Sequence, residues 1–433
     1  SKTGRLMAKV RWLKGSRYFL MRLRGNWIEA SVPLEVPTDC GTPGQANSRR
    51  VYNAGPAIYD VSHAPILPAA GETVVVTARV NDPDGVSSAT LNYRLDPNTT
   101  YSSRAMNDHG TGGDAVAGDG IYSATIPAQA DETLVAFYVS AADRLSATGQ
   151  FPANVPTQEC LVRWGEEEIS GGLGTYRLWV TQANLDFWGS REENANDTMD
   201  ATFVYGNDRV IYNVGTMYSG SPWHTVQYNG PIGSLACDYE INFHPGEKFM
   251  GSEPFVIAAE GSEDVENLYD FTTQVDMTCT WIGRKLGLQY NYRRHVNMFV
   301  NGTRRGVVYL DTQQPNSEML DQYFPDDEAG EIRKVEDWFE FEINNTSQRY
   351  IMATLERFND PAGGIDVKRY RWNWRPRTTE NHDNWYAFTN LVETINDTAA
   401  GYEKRAARWI DIRNFLWPVA LNHVVGNWDS YGY

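Results

Sequence analysis

Between residues 56 and 156 the apolar positions come in short β-branched or aromatic runs. They are 72–80 (ETVVVTARV), 89–94 and 133–141 (TLVAFYVSA), and Asp, Gly, Pro and Asn fill the gaps. Runs of that length, broken at regular intervals by turn residues, predict a β-sandwich of about a hundred residues. Similar short runs at 17–23 and 27–36 predict strands ahead of a turn-rich stretch at 40–48 (CGTPGQANS). Beyond about residue 175 the pattern turns α+β. Residues 202–213 read as two strands about a turn at Gly206-Asn207-Asp208. The apolar positions Leu268, Phe271, Val275, Cys279, Ile282 and Leu286 have helical spacing, with Arg284 and Lys285 in the last turn and Gly287 as the residue that ends it. Two strand-like runs, 295–301 and 304–311, meet at Asn301-Gly302, a strong hairpin signal. After residue 382 helices return, through Phe388, Leu391, Val392 and Ile395. A last helix carries Ile412, Phe415, Leu416, Val419 and His423, is bent by Pro418 and closes at Gly426. No internal repeat is evident.

This organisation is multidomain: the remnant of a β domain in 1–55, a sandwich in 56–160 and an α+β domain in 172–433. Composition fits ordinary cores, with 41% hydrophobic and 21% charged residues among 433. The net charge of −17 argues against a dedicated nucleic-acid binder. It divides into +7 over residues 1–50 and −24 over the rest. Eight bases before residue 25 form either a membrane-surface or polyanion-binding stretch, or the solvent face of strands whose domain begins upstream. No run reaches the ~18 apolar residues of a transmembrane span, and charges interrupt every candidate signal-peptide core. The first residue is Ser, so the chain reads as a window of a longer one. Cys40, Cys160, Cys237 and Cys279 have no metal-site spacing, and any disulfide pairing stays open. The acidity and the abundance of Trp and Tyr fit an extracellular or cell-envelope protein.

Two constellations carry chemistry. Asp108, Asp114 and Asp119 sit on a Gly-rich loop, with Asn81-Asp82-Pro83-Asp84-Gly85 nearby in sequence. Close carboxylates on a flexible backbone suit Ca²⁺, which takes several oxygen ligands. The spacing is not that of an EF-hand, and a long Asx/Gly turn without metal is the alternative. The second constellation is a chain order suited to phosphoryl transfer, which needs a base to hold phosphate, carboxylates for a metal and an aspartate to orient the hydroxyl. A glycine-bearing turn at Gly215–Ser221, Asp311 at a hairpin end, Lys334, and Asp429 in a glycine-flanked loop follow in that order. No phosphate loop, HExxH, GxSxG, HRD or DFG is present. Taken singly, Asp429 reads as a surface-turn aspartate and Lys334 as a solvated strand lysine.

Residues 176–433 resemble the CotH kinase family, the spore-coat protein H group of atypical protein kinases. The likeness lies in Tyr176-Arg-Leu-Trp-Val180, Arg209-Val-Ile-Tyr-Asn213, His295-Val-Asn-Met-Phe-Val-Asn-Gly302 with Gly306-Val-Val-Tyr-Leu310, Gly330-Glu-Ile-Arg-Lys334, Tyr370-Arg-Trp-Asn-Trp-Arg375 and Gly426-Asn-Trp-Asp429. The resemblance implies a two-lobed kinase-like fold that uses ATP with Mg²⁺ or Mn²⁺ to phosphorylate Ser or Thr of secreted or surface proteins. Asp429 matches the catalytic aspartate. Lys334, Asp311 and Asn427 match cofactor-binding positions, and Gly215, Ser219, Gly220 and Ser221 take the phosphate-covering place. Asn242 replaces a basic residue usual in the family, and Asp311 or Thr312 stands where Glu is usual. The family's metal-binding aspartate follows the catalytic loop, beyond Tyr433. Residues 40–48 look like the close of a lamin-tail-type domain, and 56–156 like an Ig-like or fibronectin-type module. The competing expectation is a non-catalytic surface module, a pseudokinase scaffold that binds glycan or protein.

Overall fold

The structure, a computed structural model, describes residues 10, 18–22, 29–35, 44, 50–190, 197–219, 230–233, 237–252, 254–260, 274–326, 330–335, 338–341, 348–351, 353–371, 373–378 and 384–426. It is mostly β-sheet with few helices. Two compact units are present, one of residues 51–281 and 291–314, the other of 1–50, 282–290 and 315–433.

In the second unit, β1 (Tyr18–Arg22) and β2 (Glu29–Pro33) form an antiparallel pair, as their runs predict. The first unit opens with two antiparallel sheets. One holds β3 (Ala57–Ala64), β4 (Val74–Asn81) and β7 (Ile121–Ile126). The other is ordered β10-β8-β5-β6, from β10 (Cys160–Arg163), β8 (Leu134–Asp143), β5 (Val86–Leu95) and β6 (Ser102–Met106), with β9 (Thr148–Phe151) also on β8. The two-residue alternation decides the inner face: Val74, Val76, Ala78 and Val80 are all buried, while their neighbours on β4 are half-buried or exposed. Both sheets contribute to a single core with Leu91, Phe137 and Val139.

A closed barrel follows, ordered β11-β12-β13-β14-β15-β17-β16. Its strands are β11 (Gly174–Trp179), β12 (Met199–Tyr205), β13 (Arg209–Tyr218), β14 (Tyr239–Asn242), β15 (Pro254–Glu260), β16 (Arg293–Val300) and β17 (Thr303–Gln313). Every pairing is antiparallel except β11 with β16, which closes the ring. The β16–β17 turn has φ of 46° at Asn301 and 77° at Gly302. Positive φ at both central residues is what a type I′ turn requires, and Asn-Gly adopts it at least cost. Asn301 also ties the hairpin to β11: its Oδ1 accepts the Val180 N–H at 2.9 Å and its Nδ2 donates to the Val180 carbonyl at 2.8 Å. The helix α1 (Gln182–Ser190) follows β11, and the Asp96 carboxylate of the sandwich accepts its first N–H at 2.7 Å.

Sandwich and barrel are one packing unit. Trp179, Val204 and Tyr212 of the barrel strands belong to the sandwich core, beside the buried His63. A buried ionic knot at the same junction joins Arg94 to Glu159 and, at 2.9 Å, to Asp96.

The helix expected over 264–286 runs as α2 (Val275–Lys285), and 264–273 lie outside the described residues. Its end is a Schellman motif: the Leu288 N–H reaches the Gly283 carbonyl at 3.0 Å, with Gly287 at φ 73°. The second unit also holds α3 (Ser317–Tyr323), the pair β18 (Arg333–Val335) with β21 (Trp374–Pro376), and the pair β19 (Trp338–Phe341) with β20 (Gln348–Ile351). Helices α4 (Tyr386–Asn396), α5 (Tyr402–Ala406) and α6 (Ile412–Val425) complete it, with Pro418 inside α6 and Gly426 at φ 70° as its cap. Its core gathers Tyr370, Trp374, Trp385, Phe388 and Val392. Among the described residues Cys160, Cys237 and Cys279 are free thiols.

Candidate functional site

The barrel interior is mainly apolar, with buried charge at the Arg294–Asp311 pair and at Arg305, whose Nε donates to the Tyr239 hydroxyl at 3.1 Å. Along β16 the positions Val296, Met298 and Val300 point inward, and two residues earlier the same face carries Arg294. Directly across the ladder lies Asp311 of β17, fully buried. Arg294 donates from Nε at 2.7 Å and from Nη2 at 2.6 Å to Asp311 Oδ2. Tyr176 of β11 donates its hydroxyl to the same oxygen at 2.6 Å and accepts from Arg294 Nη2 at 2.5 Å. The guanidinium lies 5.8 Å from the Tyr176 ring, 5.8 Å from Phe249 and 5.6 Å from Tyr292, so it rests among aromatic faces.

Burial pushes the Asp311 carboxyl up, against the pull of Arg294 and Tyr176. For Arg294 burial works against the charge, but Asp311 and the flanking tyrosines outweigh it, so the guanidinium is raised and stays charged. Burial and the Asp311 charge both drive the Tyr176 hydroxyl upward, keeping it a neutral donor. Asp311 Oδ1 is buried without a hydrogen-bond partner. The Arg294 side chain is 32% exposed and Asp311 is closed off, so the pair hides its anion, while the remaining guanidinium nitrogen, Nη1, lies against Met250 Sδ.

A second polar site lies where sandwich meets barrel, in a cleft of about 680 Å³ lined by Asn154, Gln158, Phe187, Asp200, Asn213 and Gly215. Burial raises the Asp200 carboxyl to about 7, although it accepts the Glu159 N–H at 2.9 Å and Asn213 Nδ2 at 3.1 Å.

The residues singled out in the sequence are distributed unevenly. Gly215 does not belong to a turn: 215–218 are strand, paired with β14, because the run Thr216–Tyr218 continues the β13 ladder. Ser219 follows that strand and donates its N–H to the Asp238 carbonyl at 3.0 Å. Lys334 is an exposed residue of β18 opposite Arg375, in the other unit from Asp311. Gly220, Ser221, Asn427 and Asp429 lie outside the described residues. Asp108, Asp114 and Asp119 do come together, with carboxylate oxygens within 4.8 Å. Backbone amides bind that loop: Asp108 accepts from Gly118 at 2.7 Å and Gly120 at 3.2 Å, and Asp114 from Gly110 at 2.5 Å and Val116 at 3.4 Å. Neither Arg294 nor Asp200 was singled out. The two-residue period through Val296 and Met298 was the available signal for Arg294, and nothing in the sequence marked Asp200.

Residues 234–433 match the family model described as CotH kinase protein.

The CotH match takes in β14 to α6 and includes Arg294, Asp311, Lys334, Asn427 and Asp429. Gly215, Ser219, Gly220 and Ser221 precede it, as does the whole sandwich. It is therefore narrower than the 176–433 over which the sequence resembles the family. No curated protein matches the chain.

Proposed function

We propose that this chain carries a CotH-type protein kinase that transfers the ATP γ-phosphoryl group to Ser or Thr of secreted or coat proteins. The observation that carries this reading is the CotH match over residues 234–433. The Arg294–Asp311 pair supports it, since phosphoryl transfer needs a fixed cation against phosphate oxygens. The donor set fits that demand: a planar, permanently charged guanidinium, held by a buried carboxylate and a tyrosine hydroxyl and lying against Met250, in a side chain that stays 32% exposed. Arg294 then takes the place of the cation missing at Asn242, supplied from β16 of the same barrel rather than from β14. When bound, a nucleotide with its divalent cation supplies the phosphoryl group. On this reading Arg294 binds its phosphate oxygens and Asp311 and Tyr176 orient Arg294; the role of Asp429, orienting the acceptor hydroxyl, is the one the resemblance implies.

The test compares phosphorylation from labelled ATP and Mg²⁺ by the protein and its Asp429→Ala variant, with nucleotide binding measured separately. Asp429→Ala is expected to lose labelling by about 10²-fold or more while still binding nucleotide. Equal labelling in both would overturn the role of Asp429. Absence of nucleotide binding in the unsubstituted protein would favour the scaffold, the reading that the altered pair positions recommend.

A further inference from the structure

The sandwich holds a second trio of carboxylates outside the loop that the sequence marked. Asp82 and Asp84 lie in the β4–β5 turn, and Asp143 closes β8 at the same end of the sheet. Their carboxylate oxygens come within 4.8 Å of one another. Asp143 is 2% exposed. Its Oδ1 accepts the N–H groups of Leu145 and Ala147, both at 2.8 Å, and its Oδ2 is buried with no hydrogen-bond partner.

A buried carboxylate oxygen without a donor carries an unrelieved desolvation cost, and two more carboxylates beside it add repulsion. The cation nearest in sequence does not relieve either. Arg144 lies over the turn, its Nε 3.0 Å from where a Cβ on Gly85 would stand, and among the described residues it pairs with none of the three. The Asp108 loop differs on this point, because backbone amides already reach both oxygens of Asp108 and of Asp114.

We propose that Asp82, Asp84 and Asp143 hold one Ca²⁺. With Asp143 Oδ1 and Asp82 Oδ1 already accepting backbone N–H groups, Asp143 Oδ2, Asp82 Oδ2 and the two Asp84 oxygens offer four hard oxygens, and water completes the 6–8 that Ca²⁺ accepts. The ligands come from a turn and a strand end, a set without the tight octahedral order that Mg²⁺ demands. The ion answers the orphaned Asp143 oxygen and pins the β4–β5 turn to the β8–β9 hairpin. The site lies outside the CotH match and is independent of the kinase reading.

The experiment is calorimetric titration of CaCl₂ into the metal-stripped protein without nucleotide, repeated on Asp84→Asn, Asp143→Asn and Asp119→Asn. Asp84 is exposed and its carboxylate accepts no hydrogen bond among the described residues, so Asp84→Asn folds whatever Asp143→Asn does. Binding is expected with Kd of about 10⁻⁴–10⁻³ M, as in extracellular Ca²⁺ modules. Asp84→Asn should lose one Ca²⁺ per chain or weaken it at least tenfold, and Asp119→Asn should keep that ion. The proposal is overturned if the unsubstituted protein binds no Ca²⁺, if Asp84→Asn binds as it does, or if Asp119→Asn alone removes the ion. Displacement by Mg²⁺ at equal concentration would overturn the assignment to Ca²⁺.

Discussion

Arg294 and Asp311 form a pair whose two members are not equally replaceable. Removing the arginine leaves a fully buried carboxylate facing only the Tyr176 hydroxyl. An uncompensated buried charge costs about 3–5 kcal/mol, more than most single substitutions. Arg294→Ala is therefore expected to lower unfolding stability by about that much at neutral pH in a urea titration. The sign of its pH dependence follows from the same carboxyl. Without Arg294 the folded Asp311 binds its proton more tightly still, so the variant regains stability as pH falls toward the unfolded aspartate value. A loss that stayed constant between pH 5 and 8 would show that Asp311 is not the group left stranded. Arg294→Lys keeps the charge but not the fork that reaches Asp311 and Tyr176 together, so nucleotide binding is expected to weaken about tenfold or more. Affinity equal to the unsubstituted protein in a fluorescent-nucleotide titration would remove Arg294 from the site.

Among elements, the β16–β17 hairpin shows what the sequence made legible and what it did not. Its existence and its turn follow from Asn301-Gly302, and the Asn301 side chain does more than turn the chain, since it bonds both backbone groups of Val180. Asn301→Gly keeps the left-handed backbone and loses both bonds, at about 1–3 kcal/mol. Asn301→Ala adds strain at positive φ, about 1 kcal/mol more. Thermal melts that place the two variants together would mean the backbone conformation contributes nothing. The ion pair was not legible. Counting from Val300 opposite Thr303, a regular ladder would set Arg294 opposite Tyr309. The register instead shifts between Val296 and Met298, where β17 spends extra residues that include Gly306 at φ 51°, and Asp311 arrives opposite Arg294. A bulge keeps each side chain on its face while changing its partner, and neither residue period nor turn type announces it. The same limit explains Gly215. It reads as a turn residue from its composition, yet the ladder with β14 carries it as strand. The Asp108 loop was legible in outline, because Gly and Asp at those spacings knit a turn by backbone hydrogen bonds.

At the scale of the first unit, sandwich and barrel share a core, and two titratable groups with opposite shifts, His63 and Asp200, both sit at that junction. His63 is buried against Tyr212 and Trp179, and desolvation lowers it to about 4, so it is neutral when folded. Asp200 is raised to about 7 by burial. Their linkages oppose each other. His63 has a folded value below its unfolded 6.5, so its contribution is present above pH 6.5 and is lost as pH falls toward 4. Asp200 has a folded value above its unfolded 3.8, so its contribution is present below about pH 4 and is lost as pH rises to about 7. Each is on the order of 3–4 kcal/mol at 1.36 kcal/mol per unit, so across pH 4–6.5 the two nearly cancel. Substituting one exposes the other. The melting temperature of Asp200→Asn, taken relative to the unsubstituted protein, should rise with pH from 4 to 7. That of His63→Gln should fall over pH 4–6.5. Each change should be roughly 6–12 °C for a unit of this size. Because both groups sit where sandwich and barrel meet, a single cooperative transition should carry both slopes in differential scanning calorimetry. Two separate transitions, each answering to one variant, would mean that sandwich and barrel fold apart and that Trp179 and Tyr212 do not join them.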